Sequence, residues 1–336
     1  MQHETILLDH GSGGKIAHEL TTGILLPLFN NPLLNRLHDG AVIDMAKGRL
    51  AVSTDTFTVD PLFFPGGDIG DLAVNGTVND VAMCGAVPRY LSLALILEEG
   101  LPMSDFKTIL TSVAKAAQKT NVTIITGDTK VVPKGAVDKI FINTTGIGFV
   151  ADGVDIGSHR VCAGDKVILS GTIADHGITI MTRQKELRLS TPTRSDTAPL
   201  NQMVAQMIAT GRELHELRDP TRGGVGTTLC EIAQSANCGI RMQESAIPVK
   251  PEVSGACDLL GFDPLYLANE GKLLAIVPAD AADVMLTAIQ KVPYGKNAVI
   301  IGEVVEDHPG KVVLQTRIGG ERMVDMLTGE QLPRIC

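Results

Sequence analysis

Short apolar runs typical of β-strands alternate with amphipathic helical stretches along this chain of 336 residues, and this alternation constrains the fold more than any other feature. Ser104 can cap the helical stretch that starts at Asp105, where apolar residues recur at helical spacing. The pattern predicts a mixed α/β protein. Strand-like runs are 49–53, 90–97, 122–126, 139–145, 165–170, 272–277 and 299–304, and helix-like runs are 105–120, 200–210, 225–236 and 279–291.

The length favours two domains, because single hydrophobic cores rarely grow much past roughly 250 residues. Regular patterning lapses near residues 150–159, where glycine and aspartate are frequent, and it fades again from Gly319 onward. We therefore expect an N-terminal domain at 1–153, a second domain at 154–318 and a mobile tail at 319–336.

Composition excludes several classes of protein. The 29 Lys+Arg and 38 Asp+Glu residues give a formal net charge of −9, and no basic cluster is present, so we expect no nucleic-acid binding. A hydrophobic content of 44% supports sizeable cores rather than disorder. No apolar run approaches the roughly 18 residues that span a bilayer, and no secretory signal is visible. We therefore expect a cytoplasmic protein without a membrane segment.

Three acidic residues, Asp55, Asp80 and Asp128, lie in small polar contexts that follow apolar runs. Carboxylates at strand ends can converge on Mg²⁺, which prefers oxygen ligands and bridges the phosphates of a nucleotide. Each residue alone is more often a helix cap or a turn residue. Three similar contexts together favour a metal and phosphate site.

Two glycine-rich segments are candidates for anion binding. The segment 10–15, His-Gly-Ser-Gly-Gly-Lys, has backbone N–H groups that could surround an anion, although it lacks Walker A spacing and fits a mobile N-terminus equally well. The segment 218–224 precedes a helical stretch, so Arg222 and nearby N–H groups could hold a negative oxygen. Asp219 could join the metal ligands there, or the segment could be an ordinary capped turn.

Two further positions remain ambiguous from sequence. Glu270 precedes an apolar strand, and Gly271 beside it permits close approach of another segment, although a surface glutamate in a turn is the commoner case. Lys130 follows Asp128 by two residues, so both side chains leave an extended segment on the same face. They could form a weak surface ion pair or, in a closed pocket, hold a developing oxyanion.

The six cysteines show no C-x-x-C pair, which indicates mostly buried thiols rather than a disulfide framework or a zinc site. Cys336 differs because it closes the sequence, and terminal side chains are usually mobile and solvated.

Taken together, the motifs resemble the HypE family of hydrogenase maturation factors, which makes the cyanide ligands of nickel–iron hydrogenases. The resemblance runs in one order from the glycine loop to the last residue. It rests on HGSGG at 10–14, STDT at 53–56, DPLFFPGG at 60–67, NDVA at 79–82, GDTKVV at 127–132, RDPTRGG at 218–224, ANEGK at 268–272 and PRIC at 333–336.

The resemblance implies a two-domain, PurM-like ATP-binding fold, shared with aminoimidazole ribonucleotide synthetase and selenophosphate synthetase, in which the N-terminal domain forms a homodimer through its β-sheet. It also implies a reaction on Cys336. The carbamoyltransferase HypF would deliver a carbamoyl group to this thiol, ATP would drive its dehydration to a thiocyanate, and the cyanide would pass to iron on a HypC–HypD complex.

The resemblance also implies the site residues. Mg²⁺ and ATP would be held by four aspartates, and Glu270 and Lys130 would assist removal of the nitrogen protons. The four aspartates are Asp55, Asp80, Asp128 and Asp219, and the nucleotide-binding residues are Thr54, Asn79, Arg222, Gly11, Gly13 and Gly14.

Two other functions stay open at this point. One is a synthetase of the same fold that releases a small phosphorylated or cyclised product and needs no terminal cysteine. The other is a non-catalytic assembly scaffold, in which the nucleotide acts only as a switch and Cys336 packs or binds a metal.

Overall fold

The computed structural model describes residues 4–7, 10, 19–32, 48–184, 192–327 and 334–336, and the structural statements below refer to these residues. Near its N-terminus lie a π-helical turn, Thr21–Leu25, and a short helix α1, Leu26–Phe29. Within the described ranges, no helix combines the length and the apolarity that a bilayer crossing requires.

A four-stranded sheet organises the first half. Its strands lie in the order β1-β6-β4-β5, with β4–β5 parallel and the other two pairs antiparallel. The remaining two strands, β2 and β3, pair as a small ribbon. The strands of this half are β1 (Arg49–Phe57), β2 (Phe63–Phe64), β3 (Gly67–Asp68), β4 (Ala86–Glu98), β5 (Thr123–Val132) and β6 (Ile140–Val150).

Two helices, α2 (Ile69–Met83) and α3 (Met103–Thr120), accompany this sheet, and α2 packs across β1, β6 and β4. The Asp68 carboxylate caps α2 by accepting the N–H groups of Gly70 and Asp71. All residues of α2 except Asp71 and Asp80 are buried. A helix that is apolar on all sides shows no helical periodicity, so the sequence analysis does not predict it.

The helix expected from Asp105 begins earlier, at Met103, and its N-cap is Pro102. The proposed cap at Ser104 is therefore wrong, because this residue already lies inside the first turn. Its hydroxyl instead contacts the carboxylate of the neighbouring Asp105 at 3.4 Å.

A seven-stranded sheet organises the second half, in the order β13-β12-β9-β11-β7-β10-β8. Only the β12–β9 pair is parallel among the described pairs. The strands are β7 (Lys166–Leu169), β8 (Glu216–Arg218), β9 (Gly239–Gln243), β10 (Leu274–Val277), β11 (Val299–Val305), β12 (Val312–Gln315) and β13 (Glu321–Val324).

Helices cover both faces of this sheet. Val167 and Leu169 of β7 join one core, whereas Ile168 between them joins the opposite core. Burial on both faces explains why residues 167–169 of β7 and the whole of β10 are continuous apolar runs. The helices of this half are α4 (Asp175–Arg183), α5 (Asn201–Ile208), α6 (Gly224–Ala236), α7 (Pro251–Leu260) and α8 (Ala282–Gln290).

Regular structure continues beyond Gly319, because β13 pairs with β12 over Glu321–Val324. The expectation that periodic structure ends at Gly319 is therefore wrong for these four residues. The domain boundary at 153/154 stays a prediction, and it falls between the end of β6 at Val150 and the start of β7 at Lys166.

The two halves meet along the C-terminal part of α2. Ala82 and Met83 belong to the same core as residues of α5 and α8. The buried Asn79 amide donates to the carbonyl oxygen of Ala198 at 3.0 Å and accepts the N–H of Leu200 at 2.8 Å. This junction brings β1, α2 and loops of the second half into one region.

Candidate functional site

Three carboxylates converge where the halves meet, from Asp55 on β1, Asp80 on α2 and Asp219 after β8. Burial raises the pKa of Asp55 to about 6, and repulsion from Asp80 adds to it. Burial raises the pKa of Asp219 to about 7, again with repulsion from Asp80. The Ser53 hydroxyl donates to Asp80 at 2.7 Å and so joins β1 to α2. The three predicted ligands therefore share one electrostatic environment.

The local contexts of these carboxylates differ from the expectation. Asp80 lies inside a helix, and Asp55 and Asp128 lie inside strands. The expectation that all three follow apolar strands is therefore wrong. Asp55 and Asp80 come together because α2 packs on β1, a long-range contact that local sequence patterns do not reveal.

Asp128 lies on the other face of the four-stranded sheet from Asp55. Asp128 lies in the same row across the strands as Asn143 and Thr56. Asp55 instead faces α2, because a Cβ added to Gly76 of that helix would lie 3.7 Å from the Asp55 carboxylate. Successive side chains of a strand point to opposite faces of the sheet. Within a single chain, the sheet therefore separates Asp128 from the other predicted ligands, Asp55, Asp80 and Asp219.

Lys130 and Thr54 share this outer face. The Lys130 ammonium lies 4.0 Å from the Asp128 carboxylate, and both side chains are 67% exposed, which confirms that the two leave the strand on the same side. Thr54 accepts a hydrogen bond from the Thr145 hydroxyl at 3.0 Å. Within a single chain, Lys130 and Thr54 therefore do not lie beside Glu270.

The outer face also carries large apolar side chains. Leu50 and Val52 of β1 are 42% and 60% exposed, and Val87 and Ile96 of β4 are 45% and 40% exposed. A stripe of exposed apolar residues on one sheet is typical of a surface that packs against another protein.

Glu270 lies beside the acidic cluster and is buried, with 3% of its surface exposed. Among the described residues, its Oε1 atom has no hydrogen-bond partner. Burial raises its pKa well above the usual value, and the charges of Asp196 and Asp219 contribute. A buried carboxylate oxygen without a partner is costly, so this position fits a group that contacts a ligand.

A buried ion pair supports Glu270. The Lys272 ammonium donates to Asp196 at 2.9 Å, and the other carboxylate oxygen of Asp196 accepts the Glu270 N–H at 3.2 Å. Burial opposes ionisation of Asp196, but the positive charge of Lys272 and the hydrogen bonds from Lys272 and the Glu270 N–H outweigh it and lower its pKa. The sequence analysis misses Asp196, which carries no motif signal.

Gly271 permits the contact between these two loops. A Cβ at this position would lie 1.9 Å from the carbonyl oxygen of Asp196. The expected close approach of another segment at Gly271 is thus confirmed, and the segment is the loop before α5.

Asn269 fixes the position of the turn that follows Asp219. Its side-chain amide donates to the carbonyl oxygen of Pro220 at 2.9 Å and accepts the N–H of Ala174 at 2.8 Å. This buried asparagine, missed as a separate feature, therefore holds the Asp219 turn beside the Glu270 loop.

Cys336 lies in the same region. The N–H and hydroxyl of Thr58 donate to its main-chain carbonyl oxygen at 2.9 and 3.2 Å. Burial raises the pKa of the half-buried thiol to about 12, the negative charge of Glu270 adds to it, and Arg222 opposes it. The thiol is thus within electrostatic range of two predicted site residues.

Residues 334–336, here called the closing segment, are docked on the chain after β1. The Asp60 N–H donates to the Arg334 carbonyl at 3.2 Å, and the Arg334 guanidinium donates to Thr58 O at 2.8 Å and to Asp138 at 2.5 Å. Mobility of the tail stays a prediction, and in this conformation its end is held.

The remaining predicted site residues are Arg222, Asn79 and the glycines of the N-terminal loop, and each stands differently to the site. Arg222 is exposed, and its charge opposes the rise in the pKa values of both Asp55 and Cys336, so it belongs to the site electrostatically. The Asn79 amide is used at both ends for backbone contacts. The loop glycines Gly11, Gly13 and Gly14 lie outside the described residues.

The arrangement has a clear chemical character. Burial raises the pKa of all three carboxylates, and Asp80 repels the other two. A divalent cation would relieve this, and carboxylate oxygens suit Mg²⁺. The thiol of Cys336, the carboxylate of Glu270 and the guanidinium of Arg222 share this environment. These groups together suit phosphoryl chemistry on a substituent carried by sulfur.

Comparisons with known proteins agree with this picture. Residues 37–150 match the N-terminal domain of AIR synthase related proteins, and residues 163–315 match the C-terminal domain. The chain is 50% identical to the carbamoyl dehydratase HypE of Bradyrhizobium diazoefficiens, covering 98% of this chain and 95% of that protein.

Two solved structures are also similar. The crystal structure of the hydrogenase maturation protein HypE in complex with ATP has a TM-score of 0.95 and 48% identity, covering 99% of this chain and 100% of that one. The HypE–HypF complex contains a chain with a TM-score of 0.81 and 45% identity, covering 92% of this chain and 99% of that one.

Proposed function

The chain belongs to the HypE carbamoyl dehydratase family of hydrogenase maturation proteins, and from this premise we propose that it dehydrates a carbamoyl group carried on its own Cys336, with ATP, to a thiocyanate. The observation that carries the proposal is the position of Cys336, whose thiol is half-buried beside Glu270 and the acidic cluster. HypF would supply the carbamoyl group, and a HypC–HypD complex would accept the cyanide.

The chemistry requires an activated oxygen. Removing water from the thiocarbamate S–C(=O)–NH₂ gives S–C≡N, but oxide is too poor a leaving group to depart alone. The carbamoyl oxygen would therefore attack the γ-phosphate of ATP and release ADP. The C–O bond would then break, phosphate would leave, and both nitrogen protons would be lost as the C≡N bond forms.

Asp55, Asp80 and Asp219 are proposed to hold Mg²⁺ with the nucleotide triphosphate. Their burial, their raised pKa values and the repulsion that Asp80 exerts on Asp55 and Asp219 fit a site that takes up a cation. When bound, the cation stabilises negative charge on the phosphoryl oxygens during transfer. The charge of Arg222 would add to this stabilisation. Asn79 would act indirectly, by holding the backbone of Ala198 and Leu200. Gly11, Gly13 and Gly14 stay predicted contacts of the nucleotide.

Glu270 is proposed to remove a nitrogen proton. Its carboxylate lies in the electrostatic environment of Cys336, and its Oε1 has no protein partner among the described residues. A carboxylate whose protonated form is favoured by burial is a stronger base once ionised. Positioned general bases typically contribute about 10²–10⁴-fold to rate, so Glu270→Gln would retain the carbamoylated form.

Lys130 and Asp128 are proposed to act from a second copy of the chain. Both lie on the outer face of the sheet, among exposed apolar residues that a homodimer would bury. Mixing Lys130→Ala and Cys336→Ala chains tests this assignment. If Lys130 serves the partner's Cys336, the mixed dimer recovers dehydration, whereas action within one chain leaves it inactive.

Mass spectrometry of the intact protein tests the proposed function. After incubation with HypF, carbamoyl phosphate and ATP, the chain should carry one carbamoyl adduct on Cys336. The adduct should lose one water when ATP and Mg²⁺ are present and stay intact when they are removed. Cys336→Ala should never load, whereas Cys162→Ser, a change at an exposed thiol, should load normally.

The other outcomes of the same experiment favour the alternatives. Free product in solution with an unmodified Cys336 would favour a small-molecule synthetase. Slow nucleotide turnover without any adduct would favour an assembly scaffold. The cytoplasmic location stays a prediction from the sequence.

A further inference from the structure

The buried imidazole of His176, on α4, joins the closing segment to the second half of the chain. Its Nε2 lies 2.7 Å from the carbonyl oxygen of Ile335, and its Nδ1 lies 2.7 Å from the Ser195 hydroxyl. His176 has no exposed surface, and Ile335 is 5% exposed. The contact therefore lies inside the protein, one residue before Cys336.

The partners determine the tautomer of this imidazole. A carbonyl oxygen can only accept, so Nε2 must carry the proton and donate to Ile335. Burial lowers the pKa of His176, which keeps the ring neutral, so Nδ1 must accept from the Ser195 hydroxyl. Ser195 can do this because its oxygen accepts the N–H of Thr197 at 3.1 Å. Each of these polar groups therefore has a matching partner.

The imidazole is also fixed in space by apolar and charged neighbours. The ring of Phe64 meets it edge-on, with centroids 5.7 Å apart. Asp196, which accepts the Glu270 N–H, is close enough to His176 to influence its pKa. The same loop, 195–197, thus orients His176 and supports Glu270.

We propose that His176 is a positioning residue that holds the Ile335 carbonyl and so fixes Cys336 against Glu270 for reaction. The inference rests on the proposed function for its catalytic consequence, but the docking contact can be tested separately. Undocking breaks the bond from Nε2 and frees the closing segment to meet other proteins. Redocking restores the bond and returns the sulfur to the site.

Three variants separate the parts of this contact. His176→Leu removes the donor to Ile335 and leaves a buried carbonyl without a partner. Ser195→Ala removes the hydroxyl that selects the tautomer and is the smaller change, so it serves if His176→Leu does not fold. His176→Gln is the matched control, because its amide can still donate near the position of Nε2.

Labelling with a bulky maleimide reports docking without any catalysis, since only an undocked closing segment admits the reagent to Cys336. Exposed Cys162 is the internal reference. We expect His176→Leu and Ser195→Ala to label Cys336 about 3- to 10-fold faster than the unchanged chain, which is the effect of losing one hydrogen bond. His176→Gln should label almost as slowly as the unchanged chain.

The second readout compares the rates of two steps, the loading of Cys336 by HypF and the dehydration of the loaded chain. In His176→Leu and Ser195→Ala, HypF should load Cys336 at the normal rate or faster, whereas dehydration of the loaded chain should slow by a similar 3- to 10-fold factor. Unchanged labelling of Cys336 in both variants overturns the inference, and so does faster labelling with unchanged dehydration. An unchanged chain that loads but never dehydrates contradicts the proposed function instead, while the labelling result still decides the contact.

Discussion

The N–H of Thr58 lies 2.9 Å from the main-chain oxygen of Cys336, although 278 positions separate the two residues. Thr58 directly follows β1, the strand that carries Asp55. The same strand therefore positions both Thr58, which holds the closing segment, and Asp55, a predicted metal ligand. Docking of the sulfur and assembly of the acidic cluster depend on one rigid element.

Thr58→Val should slow dehydration of the loaded chain by about 3- to 10-fold, because valine keeps the shape and the N–H but removes the hydroxyl that donates to Cys336 at 3.2 Å. Loading by HypF should be unaffected. Single-turnover mass spectrometry measures both steps. Thr108→Val is the control, because this residue is exposed on α3 and its hydroxyl donates to the Ser104 carbonyl within the same helix. Equal dehydration rates in the two variants would rule out the hydroxyl contact.

Asp219→Asn should stabilise the cation-free protein at pH 8 but not at pH 3.5. The folded pKa of Asp219 is about 7 against an ordinary 3.8, so the folded state holds this proton more tightly. That stability is fully present below pH 3.8 and is lost as pH rises through 7. The gain of the variant at pH 8 should be at most about 4 kcal/mol, the free energy that corresponds to the difference between a pKa of about 7 and one of 3.8, read as a higher midpoint of thermal unfolding.

Adding Mg²⁺ with a non-hydrolysable ATP analogue should reverse this order at pH 8, since the ligand stabilises the unchanged chain and binds the variant more weakly. Asp258→Asn, far along α7 from the cluster, is the control variant. The contrary result would be a thermal midpoint of Asp219→Asn that stays above that of the unchanged chain both without and with the ligand. That result would argue against metal binding at Asp219.

Gly271→Ala should destabilise the protein and abolish dehydration, because its Cβ would lie 1.9 Å from a backbone oxygen of Asp196. The loops that carry Asp196 and Glu270 would have to separate. Overpacking of this kind costs about 1–3 kcal/mol or more. Gly255→Ala in α7 is the matched control, since no atom lies within 4 Å of its added Cβ, and it should stabilise by about 0.5–1 kcal/mol. Similar thermal midpoints for the two variants would contradict the packing at Gly271.

The sequence predicts about half of the regular elements, those that have the expected periodicity. The strands at 49–57 and 86–98 and the helices at 201–208 and 224–236 lie where apolar patterns indicate them. Helix α2 is missed because it is buried on nearly all sides and its pattern is uniform. Strand β13 is missed because only Val324 of its four residues is buried.

The site is predicted in part, and the missing part depends on long-range contacts. The motifs that contain Asp55, Asp80, Asp219 and Glu270 identify residues that the fold brings together. The face on which Asp128 lies depends on a register shift between β4 and β5 at Leu91/Ser92, and simple alternation along the strand cannot show such a shift.

His176 gives the clearest limit of sequence reasoning. Its neighbours in the chain show no metal-ligand spacing, and none of the sequence motifs that point to the site includes it. Its partners Ser195 and Ile335 lie 19 and 159 positions away. Only the fold shows that this histidine reaches the residue next to Cys336.

The most direct test is a crystal structure of the Glu270→Gln protein with a carbamoylated Cys336 and a non-hydrolysable ATP analogue. The glutamine keeps the shape of the site but cannot take up the proton, so the carbamoyl group should persist. The account predicts that the carbamoyl oxygen lies about 3–3.5 Å from the γ-phosphorus, the separation of a reactive pair. A nucleotide bound in the site while the carbamoyl group stays beyond reach of the γ-phosphate would contradict it.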